Sequence, residues 1–387
     1  TSVKLVAQQI DNSNIANYKN STANARKFFL TRAGEANFTT AMPTVPAKTD
    51  FKKVMNLSVP AELTNQAYAI SSGKDINFAG QKINGATIFV DGKCTMQYDE
   101  TTQMNNTTIV LLSSATLKYN GTGDMIPSGC TVYCTNPRNV FSAKNDIKIN
   151  GNFYADFRDK KSDGSKDLIT GLGAIKETTP TEKEKSITPT QNITFGSGAN
   201  VFINGSIRAI NLQVEDGANV YAKENLFNND NNGNATINGN LWIGGFIKTR
   251  TLDVNGYLKA VEAVKVTNAF NVHNGANVEA SYINVTNNTK DGDKVIAKGE
   301  ATLSLNGTGK ITIGNQNVIT ANNLVTDNAS AGQITLAGEN AVAVIKAHKF
   351  TNNSNNSQIV AFATPGTNST FLLQFQENYS GSKQYNT

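Results

Sequence analysis

The chain is poor in the residue types that most often carry chemistry or cross-links. Its 387 residues include three cysteines, two histidines and one tryptophan. His273 and His348 are distant in the sequence and lie in ordinary surroundings, which does not favour a histidine-based triad. Cys94, Cys130 and Cys134 are too few and too unevenly placed for a disulfide framework or a zinc site. Buried free thiols are the favoured interpretation, and one disulfide between Cys94 and either of the others stays open.

Charge and long apolar runs are also scarce. Charged residues make up 17% of the chain, the net charge is +5, and no Lys/Arg-rich run with interleaved aromatic residues occurs. Nucleic acid is therefore not an expected partner. No segment approaches the length of about 18 apolar residues that a membrane-spanning helix needs. The chain begins Thr1-Ser2-Val3 without an initiator Met, which predicts a removed signal or lipoprotein leader and allows a lipid anchor upstream of residue 1.

The chain is rich in glycine and asparagine, and a short repeat that contains both residues dominates its middle part. The motif Gly-Ala-Asn-Val begins at Gly198, Gly217 and Gly275. The first two copies are one period apart, and the gap to the third copy is close to three further periods. A unit of this size cannot bury its own apolar face, so neighbouring units must stack.

The residues after each motif alternate as they do in a β-strand. Alternate residues point to opposite faces, so Val201, Ile203, Val220 and Ala222 can share one interior. Asn-Gly, a strong hairpin signal, occurs nine times. A meander of hairpins, however, would show turn signals at short, even intervals and no sequence repeat at a longer spacing. The sequence therefore predicts an all-β fold: a single-stranded right-handed parallel β-helix with about 19–21 residues per coil, capped at both ends.

Identical residues should stack in columns along such a helix. Asn200, Asn219, Asn240 and Asn277 each precede the first inward residue of a repeat and are predicted to form an amide ladder. Earlier segments resemble degenerate copies of the motif at uneven spacings: Gly85–Ile88, Ser114–Leu117, Gly129–Val132 and Gly151–Tyr154.

The period also divides the chain into regions. Residues 1–70 do not keep it and are predicted to be an N-terminal cap or small β-rich region. Residues 71–375 are predicted to form the parallel β-helix, and 376–387 a C-terminal tail. Residues 158–190 are charged, punctuated by proline and nearly free of strand signals, which predicts an inserted loop. A solvated loop is favoured for this insertion, and a lid or partner-binding arm is the alternative.

One outward column is a candidate binding site. If Val201 and Val220 face inward, then Phe202, Tyr221 and Trp242 face outward, with about one coil between each ring and the next. A strip of large exposed aromatic side chains marks a binding surface, and flat rings can stack on sugar faces. The alternatives are cross-strand packing that stiffens the sheet, or a cover supplied by the 158–190 insertion.

Carboxylates do not form a comparable pattern. Many β-helices cleave polysaccharides, and glycosidases need paired carboxylates a few ångströms apart. The candidates Asp216, Glu224, Asp230 and Asp253 do not fall in one column of the repeat. The sequence therefore predicts no catalytic residue, no metal site and no cofactor.

The Gly-Ala-Asn-Val and Asn-Gly coils, the asparagine richness, the start without Met and the stretch Leu57–Leu63 together resemble secreted, surface-attached β-helix proteins of Bacteroidetes-type gut bacteria. The resemblance covers about residues 50–375. It implies a secreted or cell-surface, outer-membrane-exposed location, with a glycan or a host or bacterial surface polymer as partner. The first hypothesis is therefore a non-enzymatic cell-surface β-solenoid, adhesin-like or glycan-binding. The alternatives are a β-helix polysaccharide lyase or glycoside hydrolase, and a structural envelope or fibre subunit.

Overall fold

The computed structural model of the chain describes residues 38–53, 60–71, 73, 75–157, 170–176, 187–228, 232–291, 294–297, 301–328, 332–353, 360–362, 368–375 and 380–381. The regular elements of these ranges are all β-strands. They divide into two compact units. The first unit holds the described residues from 38 to 228 together with 239–242, and the second holds those from 232 to 238 and from 243 to 381.

The strands are short early in the chain and lengthen later. Those before the first long insertion are β1 (Phe51–Lys53), β2 (Glu62–Thr64), β3 (Ala67–Ile70), β4 (Asp75–Asn77), β5 (Lys82–Asn84), β6 (Thr87–Val90), β7 (Thr95–Tyr98), β8 (Gln103–Asn105), β9 (Thr108–Leu111), β10 (Thr116–Tyr119), β11 (Thr131–Cys134), β12 (Val140–Ala143), β13 (Ile147–Ile149) and β14 (Asn152–Ala155). The next are β15 (Gly171–Leu172), β16 (Ile175–Lys176), β17 (Thr188–Pro189), β18 (Ile193–Phe195), β19 (Asn200–Ile203), β20 (Ser206–Ala209), β21 (Leu212–Val214), β22 (Asn219–Ala222), β23 (Leu226–Asn228), β24 (Asn234–Ile237) and β25 (Asn240–Ile243). The last are β26 (Phe246–Val254), β27 (Tyr257–Ala260), β28 (Ala263–Val272), β29 (Asn277–Ala280), β30 (Tyr282–Val285), β31 (Asn288–Asp291), β32 (Lys294–Ala297), β33 (Thr302–Asn306), β34 (Lys310–Ile313), β35 (Val318–Asp327), β36 (Ile334–Leu336), β37 (Val342–Asn352), β38 (Val360–Phe362), β39 (Thr370–Phe375) and β40 (Ser380–Gly381).

Coils of the first unit stack in parallel and confirm the predicted parallel β-helix. Its longest sheet runs β1-β3-β6-β9-β11-β14-β19-β22-β25, and shorter parallel sheets such as β2-β5-β8 and β12-β10-β7-β4 form the other sides. Along the long sheet, Ala67 pairs with Thr87, Thr87 with Thr108, Thr108 with Thr131 and Thr131 with Asn152. Each of these pairings advances the chain by one coil, in steps of 20, 21, 23 and 21 residues, so the coils are at or slightly above the predicted length.

The same register corrects one part of the sequence prediction. The motif comparison places Ser114–Leu117 among the copies of the main motif, but Thr116 and Leu117 begin β10, which pairs with β7 and β12 on another side of the coil. The copy on this side is Asn106–Ile109, because Thr87 pairs with Thr108 and Ile88 with Ile109. All sides of the coil carry a turn followed by alternating apolar residues, so motif letters alone do not distinguish one side from another.

The Gly-Ala-Asn-Val motif forms a corner of the coil. In the second copy, Ala218 N donates to Glu215 O at 3.1 Å, and Gly217 has a φ of 88°. Glycine suits the third position of a turn that requires positive φ. Ala218 then fills the corner, Asn219 opens the strand, and Val220 points inward, both apolar side chains being fully buried.

The interior is apolar, as the alternation predicts. Val201, Ile203, Val220 and Ala222 are each at most 1% exposed, which confirms that they share one core. The three cysteines are also buried, and their thiols are free. Burial raises the pKa of the Cys130 thiol and, more strongly, that of Cys134.

The second unit is built from the same parallel ladders with longer strands. Its sheets run β27-β29-β34-β36-β38 and β24-β26-β28-β30-β35-β37-β39. Tyr257 pairs with Asn277, so the coil length there matches that of the first unit. In β26 and β28 two sides of the coil merge into one bent strand, and the register shifts between Thr249 and Thr251.

Two insertions lengthen single coils. Asn152 pairs directly with Asn200, and the long stretch of chain between them holds β15, which pairs in parallel with β20, and the antiparallel pair β16–β17. Much of the predicted 158–190 loop, residues 158–169 and 177–186, lies outside the described residues. The second insertion lies between the paired residues Asn277 and Lys310 and contains the antiparallel hairpin β31–β32. This hairpin was not predicted from the sequence.

Candidate functional site

Two columns of side chains run along the outer face of the long sheet of the first unit. The aromatic column consists of the third residue of each strand and comprises Tyr133, Tyr154, Phe202, Tyr221 and Trp242. The amide column consists of the first residue of the same strands and comprises Thr131, Asn152, Asn200, Asn219 and Asn240. First and third residues of a strand point to the same face, so each ring lies beside a polar side chain.

The rings of the aromatic column contact one another from coil to coil. Phe202 and Tyr221 are stacked, with ring centroids 5.7 Å apart and planes 5° from parallel. Tyr221 meets Trp242 edge-to-face at 5.1 Å, and Tyr133 meets Tyr154 at 5.3 Å. The column thus includes the three predicted residues and begins two coils earlier than predicted. The signal for Tyr154 is present in the sequence, since this residue occupies the outward position of the copy Gly151–Tyr154.

Side-chain hydrogen bonds link members of the amide column at two of its steps. Asn152 Nδ2 donates to Thr131 Oγ1 at 3.1 Å, and Asn240 Nδ2 donates to Asn219 Oδ1 at 2.9 Å. Asn200 Nδ2 instead donates to the Tyr154 hydroxyl at 3.3 Å. Of the four residues predicted to form an amide ladder, Asn219 and Asn240 are bonded in this way. Asn200 bonds to Tyr154 instead, and Asn277 occupies a position paired with Tyr257 and Lys310, so the ladder does not extend to it.

The aromatic column is covered, which differs from the exposed strip that the sequence predicts. Phe202 is 4% exposed, Tyr221 is 9% exposed, and Trp242 is half-buried. Burial raises the pKa of Tyr221 above its ordinary value. The cover comes from residues 38–50, an extended segment that we call the strap.

The strap follows the aromatic column from one end to the other. The Phe38 ring packs edge-to-face on Trp242 at 5.5 Å, and Met42 packs against the cluster around Phe202. Val45 packs on Phe89 and its neighbours, at the early end of the same face. The outward-facing rings of the aromatic column thus form a second apolar core between the sheet and the strap.

The length of the strap fits this path. The path from β25, where Phe38 packs, to β1, which begins with Phe51, crosses nine strands in eight steps of about 4.8 Å, or roughly 38 Å. The stretch of chain from Phe38 to Phe51 can span at most about 45 Å. The strap is therefore nearly extended, which agrees with its lack of regular helix or strand.

A salt bridge fixes the far end of the strap. Lys48 Nζ lies 2.8 Å from Asp91 Oδ2 and 5.0 Å from the centre of the Phe51 ring. Ser113 Oγ donates to Asp91 Oδ1 at 2.8 Å. The hydrogen bond from Lys48, and after it the one from Ser113, lowers the pKa of Asp91 below its ordinary value. After Phe51 the chain enters β1, which pairs with β3.

The corresponding sheet face of the second unit has different chemistry. Lys259 and Glu279 occupy paired positions in β27 and β29, and Lys259 Nζ lies 3.4 Å from Glu279 Oε2 with both side chains nearly fully buried. The Tyr257 hydroxyl donates to the same Oε2 at 3.1 Å. A cavity of about 20 Å³ adjoins the pair, with Thr312 in its wall, and has room for about one water molecule.

The remaining candidate residues do not converge on one place. His273 is 40% exposed, and its Nε2 lies 3.0 Å from Asp253 Oδ1, which also accepts from Asn271 Nδ2 at 2.9 Å. Asp216 lies in an exposed turn, Glu224 is buried, and Asp230 is outside the described residues. Within the described ranges, no three His, Cys, Asp or Glu side chains lie close enough to hold a metal ion, and no helix is long and apolar enough to cross a membrane.

No family model, curated protein or solved structure matches the chain.

Proposed function

We propose that this protein is a non-enzymatic β-solenoid of the cell surface that binds glycans in an adhesin-like role. Phe202, Tyr221 and Trp242 would supply the ring contacts. The observation that carries the proposal is the aromatic column running beside the amide column on one sheet face. A secreted, outer-membrane-exposed location like that of Bacteroidetes-type β-helix proteins belongs to the same proposal and is supported by the resemblance of the coils.

The two columns offer complementary contacts to a sugar chain. Aromatic ring faces present apolar, polarisable surface that can cover the C–H face of a sugar ring. Amide side chains have both donors and acceptors, which suits the hydroxyl groups at the edge of that ring. Because the contacts repeat at the coil spacing of about 4.8 Å, the site favours an extended polymer lying along the stack over a single small sugar.

The non-enzymatic part of the proposal is supported by how the carboxylates are engaged. Asp91 is held by Lys48 and Ser113, and Asp253 accepts from Asn271 and lies against His273. Asp91 thus joins the strap to a coil and that coil to Ser113 of the next, and Asp253 joins neighbouring coils. Their partners are an ammonium, a hydroxyl, an amide and an imidazole, whereas the two acids of a glycosidase face each other across the scissile bond.

A second function, a structural envelope or fibre subunit, is favoured by one observation. The strap covers the aromatic column with the chain's own side chains. In a purely structural protein this cover would be permanent, and the column would contribute to folding alone.

A polysaccharide screen with ring-conserving controls separates these functions. The wild type, Tyr221→Ala/Trp242→Ala and Tyr221→Phe/Trp242→Phe would be incubated with soluble β-glucan, xylan, galactomannan and pectin, and both binding and polymer length would be followed. We expect the wild type and the Phe variant to bind, and the Ala variant to lose binding at least tenfold, because only the ring surface distinguishes the two variants.

Other outcomes would contradict the proposal. Shortening of a polymer would overturn the non-enzymatic assignment and favour the lyase or hydrolase alternative. Binding of none of the four polymers, either by the wild type or by Phe38→Ala/Met42→Ala, in which the covering side chains are removed, would overturn glycan binding and favour the structural subunit. Circular dichroism of each variant would verify that the β-fold is intact, so that loss of binding is not loss of structure.

A further inference from the structure

The strap occupies the ring surface that the proposed function assigns to a glycan. Phe38 packs on Trp242, and Met42 packs on the cluster that includes Phe202 and Tyr221. At the amide column, Thr39 Oγ1 lies 3.5 Å from Asn200 Oδ1. The strap thus places an apolar surface on the rings and a hydroxyl on an amide, which are the two kinds of contact that a sugar chain would make.

The strap is held mainly by side chains. Among the described residues, its side chains make two polar contacts with the coils, the long contact from Thr39 and the salt bridge from Lys48 to Asp91. The backbone hydrogen bond from Thr49 N to Ala47 O stays inside the strap. By contrast, β1 pairs along its whole length with β3. The strap can therefore lift from the rings while β1 keeps its place in the sheet.

We infer that the strap is a built-in competitor for the glycan site, and that it sets the site's affinity by covering the aromatic column. The inference rests on the proposed function. A glycan binds only when the strap is open, so the apparent dissociation constant equals the intrinsic one divided by the open fraction. Changes that weaken the strap without touching the rings should therefore tighten glycan binding.

The single tryptophan of the chain reports on the strap without any glycan. Trp242 is the ring that Phe38 covers, so acrylamide should quench its fluorescence more strongly when the strap is open. Two variants weaken the strap at different points. Lys48→Glu places a negative charge against Asp91, and Phe38→Ala/Met42→Ala removes the apolar contacts.

Lys118→Glu is the matched control for the charge reversal, because Lys118 is exposed in β10, on another side of the coil. Quenching would be measured for the full-length wild type and all three variants, followed by titration with soluble β-glucan, xylan, galactomannan and pectin. We expect both strap variants to show a higher quenching constant and roughly tenfold tighter binding of the polymer that the wild type binds, with the control unchanged.

The two measurements separate failure of the strap from failure of the function. Equal quenching constants in the wild type and both strap variants would overturn the inference that the strap competes for the site, whatever the result of the polymer titrations. Higher quenching with unchanged or weaker polymer binding would also overturn it, because an open strap would then not favour the glycan. Higher quenching with no polymer bound by any form would overturn the proposed function, and the competition with it.

Discussion

At the residue scale, alternation in the sequence predicts which side of a strand a residue occupies but not what lies over that side. Phe202 and Tyr221 do face outward, yet they are almost fully covered. The cover reaches them from far away in the chain, since Thr39 and Asn200 are 161 positions apart. An alternation between neighbouring residues is a local signal, and it contains nothing about a segment this distant.

The buried ion pair of the second unit gives a test at the same scale. Glu279→Gln keeps the shape of the side chain but removes the charge that lies 3.4 Å from the buried Lys259 ammonium. Removing one partner of a buried pair leaves a charge in a poor environment, so we expect unfolding to become easier by about 3 kcal/mol. Urea unfolding measures this loss.

Two further variants make the ion-pair test specific. Lys259→Met/Glu279→Gln removes both charges and should recover most of the lost stability, because no unpaired charge is then left buried. Glu339→Gln makes the same chemical change at an exposed turn of the same unit and should have little effect. A Glu279→Gln protein as stable as Glu339→Gln would mean that the pair does not act as a buried ion pair.

At the element scale, the coils with the clearest repeat were predicted from the sequence, and the elements that leave the repeat were not. The strands from Asn200 and Asn219 follow from the motif, because glycine, alanine and asparagine there each meet a local requirement of the corner. The two strands of the hairpin β31–β32 pair with each other, and their sequence does not repeat at the coil period. The sequence between the two strands, Gly292-Asp293, is a two-residue hairpin signal that a search confined to the coil period passes over.

The strap provides a pH test at the element scale. Lys48 lowers the pKa of Asp91 below its ordinary value of 3.8. The contact therefore stabilises the closed strap at pH values above 3.8. The contribution is lost as the pH falls through the lowered pKa, because the carboxyl is then protonated whether the strap is closed or open. Asp91→Asn lacks the charge at every pH. We therefore expect Trp242 to be more accessible to acrylamide in Asp91→Asn than in wild type near neutral pH.

The difference between wild type and Asp91→Asn should close once the pH is below the lowered pKa of Asp91. Asp216→Asn, at an exposed turn, is the control and should match wild type throughout. A difference that persists in acid, or no difference near neutral pH, would show that the salt bridge does not hold the strap.

At the scale of the whole molecule, the architecture could be predicted from the sequence because the same turn-and-strand motif recurs many times along the chain. Three copies of one motif and several imperfect relatives are enough to indicate stacking. The candidate site was predicted less completely than the fold. Its rings belong to the repeat and could be found, whereas the strap is non-periodic and docks through the spacing of Phe38, Met42 and Val45 on a surface that only the assembled coils create.

This contrast predicts a hydrogen-exchange map of the whole chain. Backbone amides in the stacked strands, such as those of β14, β19 and β22, are bonded to neighbouring coils, so peptides from them should exchange slowly. Peptides from the strap should exchange nearly as fast as an unfolded chain, although side chains such as Met42 are packed, because exchange follows the backbone bonds and not side-chain burial. Phe38→Ala/Met42→Ala should leave the strand peptides unchanged, since the coils do not depend on the strap for their ladders. Strap peptides as protected as those of β19 would mean that the cover is a fixed part of the core, and the aromatic column would then be closed to any ligand.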